Sequence, residues 1–133
     1  KYKEIQFVYP SFTHHPFETV TFFKKFCINF NFKHKIITDP KAFHIKKNTA
    51  YISVSDRILA QFLEQCQEKN LEPGKDVGFL SYNETPMKKF IYKGISVVST
   101  DFKALGLKAA EFITKGEPTQ SYVPTQVLIR ESL

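Results

Sequence analysis

Four polar residues carry most of the chemistry this sequence offers. Ser55 and Asp56 close one β-rich run, and Asn83 and Glu84 close another. Amides and carboxylates can make two directed hydrogen bonds at once, which suits them to sorting the hydroxyls of a carbohydrate-like ligand. Such a site is selective because the wrong ligand leaves buried polar groups unpaired. Each residue also has a local task open to it: Ser55 or Asp56 can cap a helix, and Asn83 can shape a turn. His14 and His15 are adjacent on a polar stretch, and His34 and His44 share no helical register with them, so no metal site is expected. The sequence lacks G-x-G-x-x-G, G-x-x-x-x-G-K-[ST], G-x-S-x-G and H-E-x-x-H. Gly74, Gly78, Gly94, Gly106 and Gly116 never cluster, so no glycine-rich phosphate cradle forms. A binding protein without a cofactor is expected rather than an enzyme. A small α/β enzyme would need a nucleophile–base pair, and none is found.

The elements that must position these residues alternate. Ile5 to Tyr9, Lys35 to Thr38, Thr49 to Val54, Val77 to Tyr82, Ile95 to Val98 and Gln126 to Arg130 read as short strands. Between them, apolar residues recur at helical spacing over 17–30, over the stretch with Ile58, Leu59, Phe62, Leu63 and Cys66, and over 102–115. Asp101 is placed to cap the last helix, with Gly116 to stop it and Pro118 beyond. The piece 40–48 is polar and has no assigned element. Strands alternating with helices predict a three-layer α/β/α fold with a mostly parallel sheet. Ligands of such folds bind at the carboxyl ends of strands. That rule selects Ser11 to Pro16, Ser55-Asp56 and Tyr82 to Thr85.

The chain has 133 residues, enough for one domain with a core. No apolar run approaches the roughly 20 residues that span a bilayer, so no membrane partner is expected. No signal-peptide pattern precedes the first strand and there is no initiating Met, so the chain is expected to start partway into a longer, cytoplasmic product. Cys27 and Cys66 are expected to be buried free thiols. The net charge of +6 is spread over Lys24-Lys25, Lys33, Lys35, Lys46-Lys47 and Lys88-Lys89, and reads as solubility rather than as a nucleic-acid stripe.

Five segments resemble the lactose-repressor/galactose-repressor family of transcription regulators. Thr49 to Asp56 resembles its strand ending in a small-Asn-Asp turn, and Glu72 to Glu84 its "vP-x-D-v-s-v-v-G-f-D-d" segment. Ile95 to Val98 stands where its "L-T-T-v" lies, Asp101 to Ala110 is similar to its "lG-x-x-A" helix, and Val123 to Ser132 to its "lP-x-x-L-i-v-R-e-S" tail. Residues 1–48 fit by pattern only: strand, loop, helix, strand.

The resemblance implies one lobe of a periplasmic-binding-protein-like sensor that closes on a small effector. Residues 1–98 and 126–133 would be second-lobe sheet and helices. Residues 99–125 would be a crossover and a helix belonging to a first lobe that is absent. DNA would be read by a missing domain, either the family's helix-turn-helix or a winged helix of the gluconate-repressor type. By the same resemblance Ser55 takes the place of an effector-binding Asn, Asp56 of its acidic neighbour, and Asn83 of an effector-binding Asp. Glu18 stands nearest in pattern to a sugar-contacting Arg. The rival reading is a periplasmic sugar-binding protein of a transporter, against which the Leu128-Ile129-Arg130-Glu131-Ser132 ending counts. Phe102, Leu105, Ala109, Phe112 and Ile113 make a continuous apolar stripe expected to pack on another copy, giving a homodimer.

Overall fold

The computed structural model describes residues 1–116 and 120–133. In chain order the elements are β1 (Glu4–Val8), α1 (Glu18–Asn29), β2 (Lys33–Ile37), β3 (Thr49–Ser53), α2 (Asp56–Glu68), β4 (Gly78–Tyr82), β5 (Ser96–Thr100), α3 (Phe102–Lys115) and β6 (Thr125–Leu128). They form one six-stranded sheet in the order β2-β1-β3-β4-β5-β6. The first five strands are parallel. The fold is the expected α/β type with a mostly parallel sheet. β6 departs from it. The chain returns from α3 beside the carboxyl end of β5 and runs back along that strand, pairing Thr100 with Thr125 and Val97 with Leu128.

Parallel strands with helices on both faces are apolar on both faces, and these are. One face carries Val8, Tyr51 and Phe79, on which α2 packs Ile58, Leu59, Phe62 and Cys66. The opposite face carries Phe7, with Ile52 and Val54 beside it, under Val20, Phe23 and Cys27 of α1. Burying each large side chain contributes about 1.5–3 kcal/mol. The α2 face is the larger cluster, and it takes in Phe43 and Ile45 from the stretch that reads as polar. A short 3-10 turn at Pro40–Ala42 swings those two side chains inward. The apolar stripe of α1 is wider than the surface it covers, leaving Phe17, Phe22 and Phe30 exposed.

The helices stop for a shared reason. After α1, Asn31 takes a left-handed φ of 55° and Phe32 N–H donates to the Cys27 carbonyl at 2.8 Å. After α2, Asn70 (φ 51°) lets Leu71 N–H reach the Cys66 carbonyl at 2.9 Å. Asparagine tolerates this conformation better than most residues with a side chain. Asp101 caps α3 by accepting from Ala104 N–H at 2.9 Å, and Gly116 ends it at φ 68°. The expected stop at Pro118 lies outside the described residues. Cys27 and Cys66 are free and buried, as expected.

The segment after β6 is fastened to the sheet. The Ser132 hydroxyl donates to the Phe79 carbonyl at 2.8 Å and accepts from Ser96 N–H at 2.8 Å. The Ser96 hydroxyl in turn donates to the Arg130 carbonyl at 3.0 Å. The turn at Gly74 (φ +78°) makes room for this tail, because a side chain there would collide with the Glu131 carbonyl.

Candidate functional site

The carboxyl ends of β1, β3 and β4 lie side by side, because β1 pairs with β3 and β3 with β4 in parallel register. Ser55 and Asp56 leave β3, Asn83 and Glu84 leave β4, and the Ser11 to Pro16 loop leaves β1. The topology therefore brings the expected residues to one edge of the sheet.

Ser55 is the first backbone acceptor of α2, taking the Ile58 and Leu59 N–H groups at 3.1 and 3.2 Å. Its hydroxyl makes no capping bond, so the capping expected of it is done by the main chain alone. Asp56 is the first residue of the helix, where the macrodipole favours a negative charge. Its carboxylate meets the Lys88 ammonium at 2.7 Å.

That lysine corrects the reading of the Lys88-Lys89 pair as surface charge. The Lys88 side chain is 2% exposed. Its remaining donors go to the Tyr82 carbonyl at 3.0 Å and the Asn83 carbonyl at 2.7 Å. The 3-10 turn Pro86–Lys89 carries it inward. A buried ammonium is tolerable only when paired and fully hydrogen-bonded, and here it is both.

Asn83 adopts a left-handed φ of 60°, and its N–H donates to the Val98 carbonyl at 2.7 Å. Its side-chain Oδ1 is buried without a hydrogen-bond partner, as is the Ser81 hydroxyl two residues earlier. Such atoms are costly unless something fills their valence. Glu84 is spent within the fold. Its carboxylate pairs with the Arg130 guanidinium and accepts from Thr85 N–H at 3.0 Å. Burial pushes its carboxyl upward, but the Arg130 hydrogen bond and charge outweigh that and hold it below the usual carboxylate range. Glu18 begins α1 and is exposed, with no partner drawing it toward Asn83.

Besides Lys88, sequence reasoning missed a second residue of this edge. The His15 ring stands edge-on to Tyr82 with centroids 4.4 Å apart, next to Asn83. Its Nδ1 is buried and unpartnered, and burial lowers its pKa, favouring the neutral ring. The loop holding it is pinned where the Tyr9 hydroxyl donates to the His15 carbonyl. The strand-end rule pointed to this loop but not to the residue.

Beside the edge, a groove of about 330 Å³ opens between α1 and the sheet, lined by Phe7, Phe22, Phe26, Ile52, Leu80 and Val98. A larger hollow of about 590 Å³ lies at the far end of α2, but its charged walls answer one another: Lys75 sits 3.3 Å from Glu72. Among the described residues there is no grouping of His, Cys, Asp and Glu that could hold a metal ion. No helix there is long and apolar enough to cross a membrane.

The family model of the periplasmic binding protein-like domain matches residues 27–133. Among solved structures, a transcription regulator from Lactobacillus plantarum superposes with a TM-score of 0.78 at 20% identity, covering 98% of this chain and 59% of its own. A probable maltose operon transcriptional repressor from Staphylococcus aureus gives 0.75 at 20% identity, covering 98% and 54%. An Escherichia coli transcriptional repressor gives 0.75 at 12%, covering 98% and 55%. At these identities the likeness shows the fold, and the chain spans about half the length of these structures. No curated protein matches the sequence.

Proposed function

The chain belongs to the periplasmic binding protein-like domain family, and on that footing we propose that it is the effector-binding lobe of a transcription regulator. The observation that carries the reading is the edge where Ser55, Asp56 and Asn83 converge with an uncapped hydroxyl and an unpaired amide oxygen. A hydroxylated ligand offers both groups a hydrogen-bond partner. The effector is a sugar or sugar-like molecule. Binding moves a two-state equilibrium by its differential affinity for the open and closed forms. DNA is contacted by a helix-turn-helix or winged-helix reader outside this chain, and the protein acts in the cytoplasm without catalysing a reaction. Of the span 99–125, Ser99, Thr100 and Thr125 belong to this sheet, and the α3 segment between them serves a first lobe, in keeping with a helix that has no buried residue. Solved neighbours that are repressors support a regulator over a transport protein.

Half of a two-lobed cleft encloses little of a ligand, so this chain alone binds weakly. The test is calorimetry on the protein carrying both lobes. Asn83→Ala should weaken its sugar effector by about 1–3 kcal/mol, the cost of a lost hydrogen bond that strands its partner. Unchanged affinity would remove Asn83 from the site. A protein that binds no sugar, and whose DNA affinity no sugar alters, would end the reading.

A further inference from the structure

Both acidic side chains at the strand-end edge already have a cation. Asp56 is met by Lys88 and Glu84 by Arg130, and neither cation is free in solvent: their side chains are 2% and 19% exposed. The polar groups left without an ionic partner carry no charge: the Ser55 hydroxyl, the buried Asn83 amide oxygen and the His15–Tyr82 pair. Burial lowers the pKa of His15 and so favours its neutral ring. Two cations lie at the rim: Arg57, next to Asp56, and Lys89, whose charge reaches Glu84. Arg57 lies over the Phe12 ring, its guanidinium carbon 5.4 Å from the centroid, while Glu18, His14 and Lys89 are exposed. Only charges more than about 10 Å away are largely screened at moderate salt, so these exposed groups act on the rim rather than on the paired floor.

Lys88 is the key member. It has three ammonium hydrogens, and Asp56, the Tyr82 carbonyl and the Asn83 carbonyl account for them. It thereby ties the start of α2 to the end of β4, holding Ser55 and Asn83 at a fixed spacing. It also cancels the one carboxylate that points outward, Asp56 being 64% exposed. We propose that Lys88 is a positioning residue that leaves the floor of the site without net charge, so that the site takes an uncharged polyhydroxyl ligand in preference to sugar phosphates and amino sugars. This rests on the strand-end edge being the effector site.

The consequence is a preference whose sign can be reversed from either side. The probes are glucose, glucose 6-phosphate and 6-amino-6-deoxyglucose, which share a ring and differ in charge. Binding to the protein carrying both lobes is followed by the amide NMR shifts of Tyr82, Asn83 and Glu84 at millimolar probe. The wild type should respond to glucose and less to either charged probe. Lys88→Met bares the Asp56 carboxylate and should shift the preference toward the amine by about five- to tenfold. Asp56→Asn leaves the Lys88 charge unanswered and should shift it toward the phosphate by a similar factor. A lysine that merely braces the fold would weaken all three probes alike in Lys88→Met, and that result overturns the proposal. So does a wild type that prefers either charged probe. If Lys88→Met does not fold, Asp56→Asn decides, since Asp56 lies at the surface. Silence from all three probes counts against the effector reading itself, and the ligand class falls with it.

Discussion

Helices α2 and α3 are close in length and amphipathic, and each follows a parallel strand, yet one is cemented and the other is not. α2 buries Ile58, Leu59, Phe62 and Cys66 against β3 and β4. α3 buries nothing: Phe102 and Phe112 are each 51% exposed and Ile113 is 79% exposed. Both have a sound start and stop, so local sequence accounts for each helix as a helix. What differs is the surface opposite. An apolar stripe shows that a helix has a partner; it does not show which surface the partner is on.

The comparison breaks most easily at its strong end. Phe62 is fully buried against Tyr51 and Phe79. Phe62→Ala should cost about 3–5 kcal/mol of unfolding free energy in denaturant titration, the transfer loss plus the cavity left behind. If Phe112→Ala on α3 cost this chain as much, the contrast between the helices would be false.

An intermediate effect sharpens it. Arg130 joins the last segment to β5, its guanidinium donating to the Ile95 carbonyl at 2.7 Å as well as pairing with Glu84. Arg130→Met should cost about 1–3 kcal/mol, because it strands a half-buried carboxylate. The same pair sets a pH response. The Glu84 carboxyl titrates lower in the folded chain than in the unfolded one, so its contribution is full above about pH 4.5 and is lost as pH falls through the folded value. His15 acts in the same direction: the unfolded chain takes up that proton first below about pH 6.5, so acid favours unfolding. Chemical denaturation from pH 7 to pH 4 should show stability falling, and less steeply in Arg130→Met.

The smallest effect on stability belongs to α3. Phe112→Asp should change the unfolding free energy of this chain by less than about 0.5 kcal/mol, as an exposed substitution does. It should nevertheless lower the mass that light scattering reports at micromolar concentration, if the stripe finds a second copy as its composition predicts. A wild-type chain that is monomeric there would mean that the stripe waits for the first lobe alone.

Much of the fold was legible because its signals are local. The five parallel strands lie within one or two residues of their expected bounds, and α3 begins and ends where Asp101 and Gly116 place it. The run Gln126 to Arg130 reads as a strand and β6 is one, but its antiparallel direction was not legible, since such a run carries no direction. Phe43 and Ile45 were hidden in a polar stretch, because two inward side chains make no period. At the site, Ser55, Asp56 and Asn83 could be read from their places after strands. Lys88 could not. A lysine is nearly always outside, and only the turn at Pro86 and the two facing carbonyls make its burial tolerable. Ser132 is similar: nothing in a Glu-Ser dipeptide announces a bridge between Phe79 and Ser96.

The two cysteines have a practical consequence. Cys27 is 0% and Cys66 4% exposed, and burial pushes both thiols up, that of Cys66 to about 11. Thiolates are the species that react, so at neutral pH neither sulfur competes for a maleimide. A single new cysteine, at Ile113 on the open helix or at Lys89 beside the site, can therefore take a fluorophore or spin label with both natural thiols in place. The distance between two such labels would report directly any movement of α3 relative to the sheet.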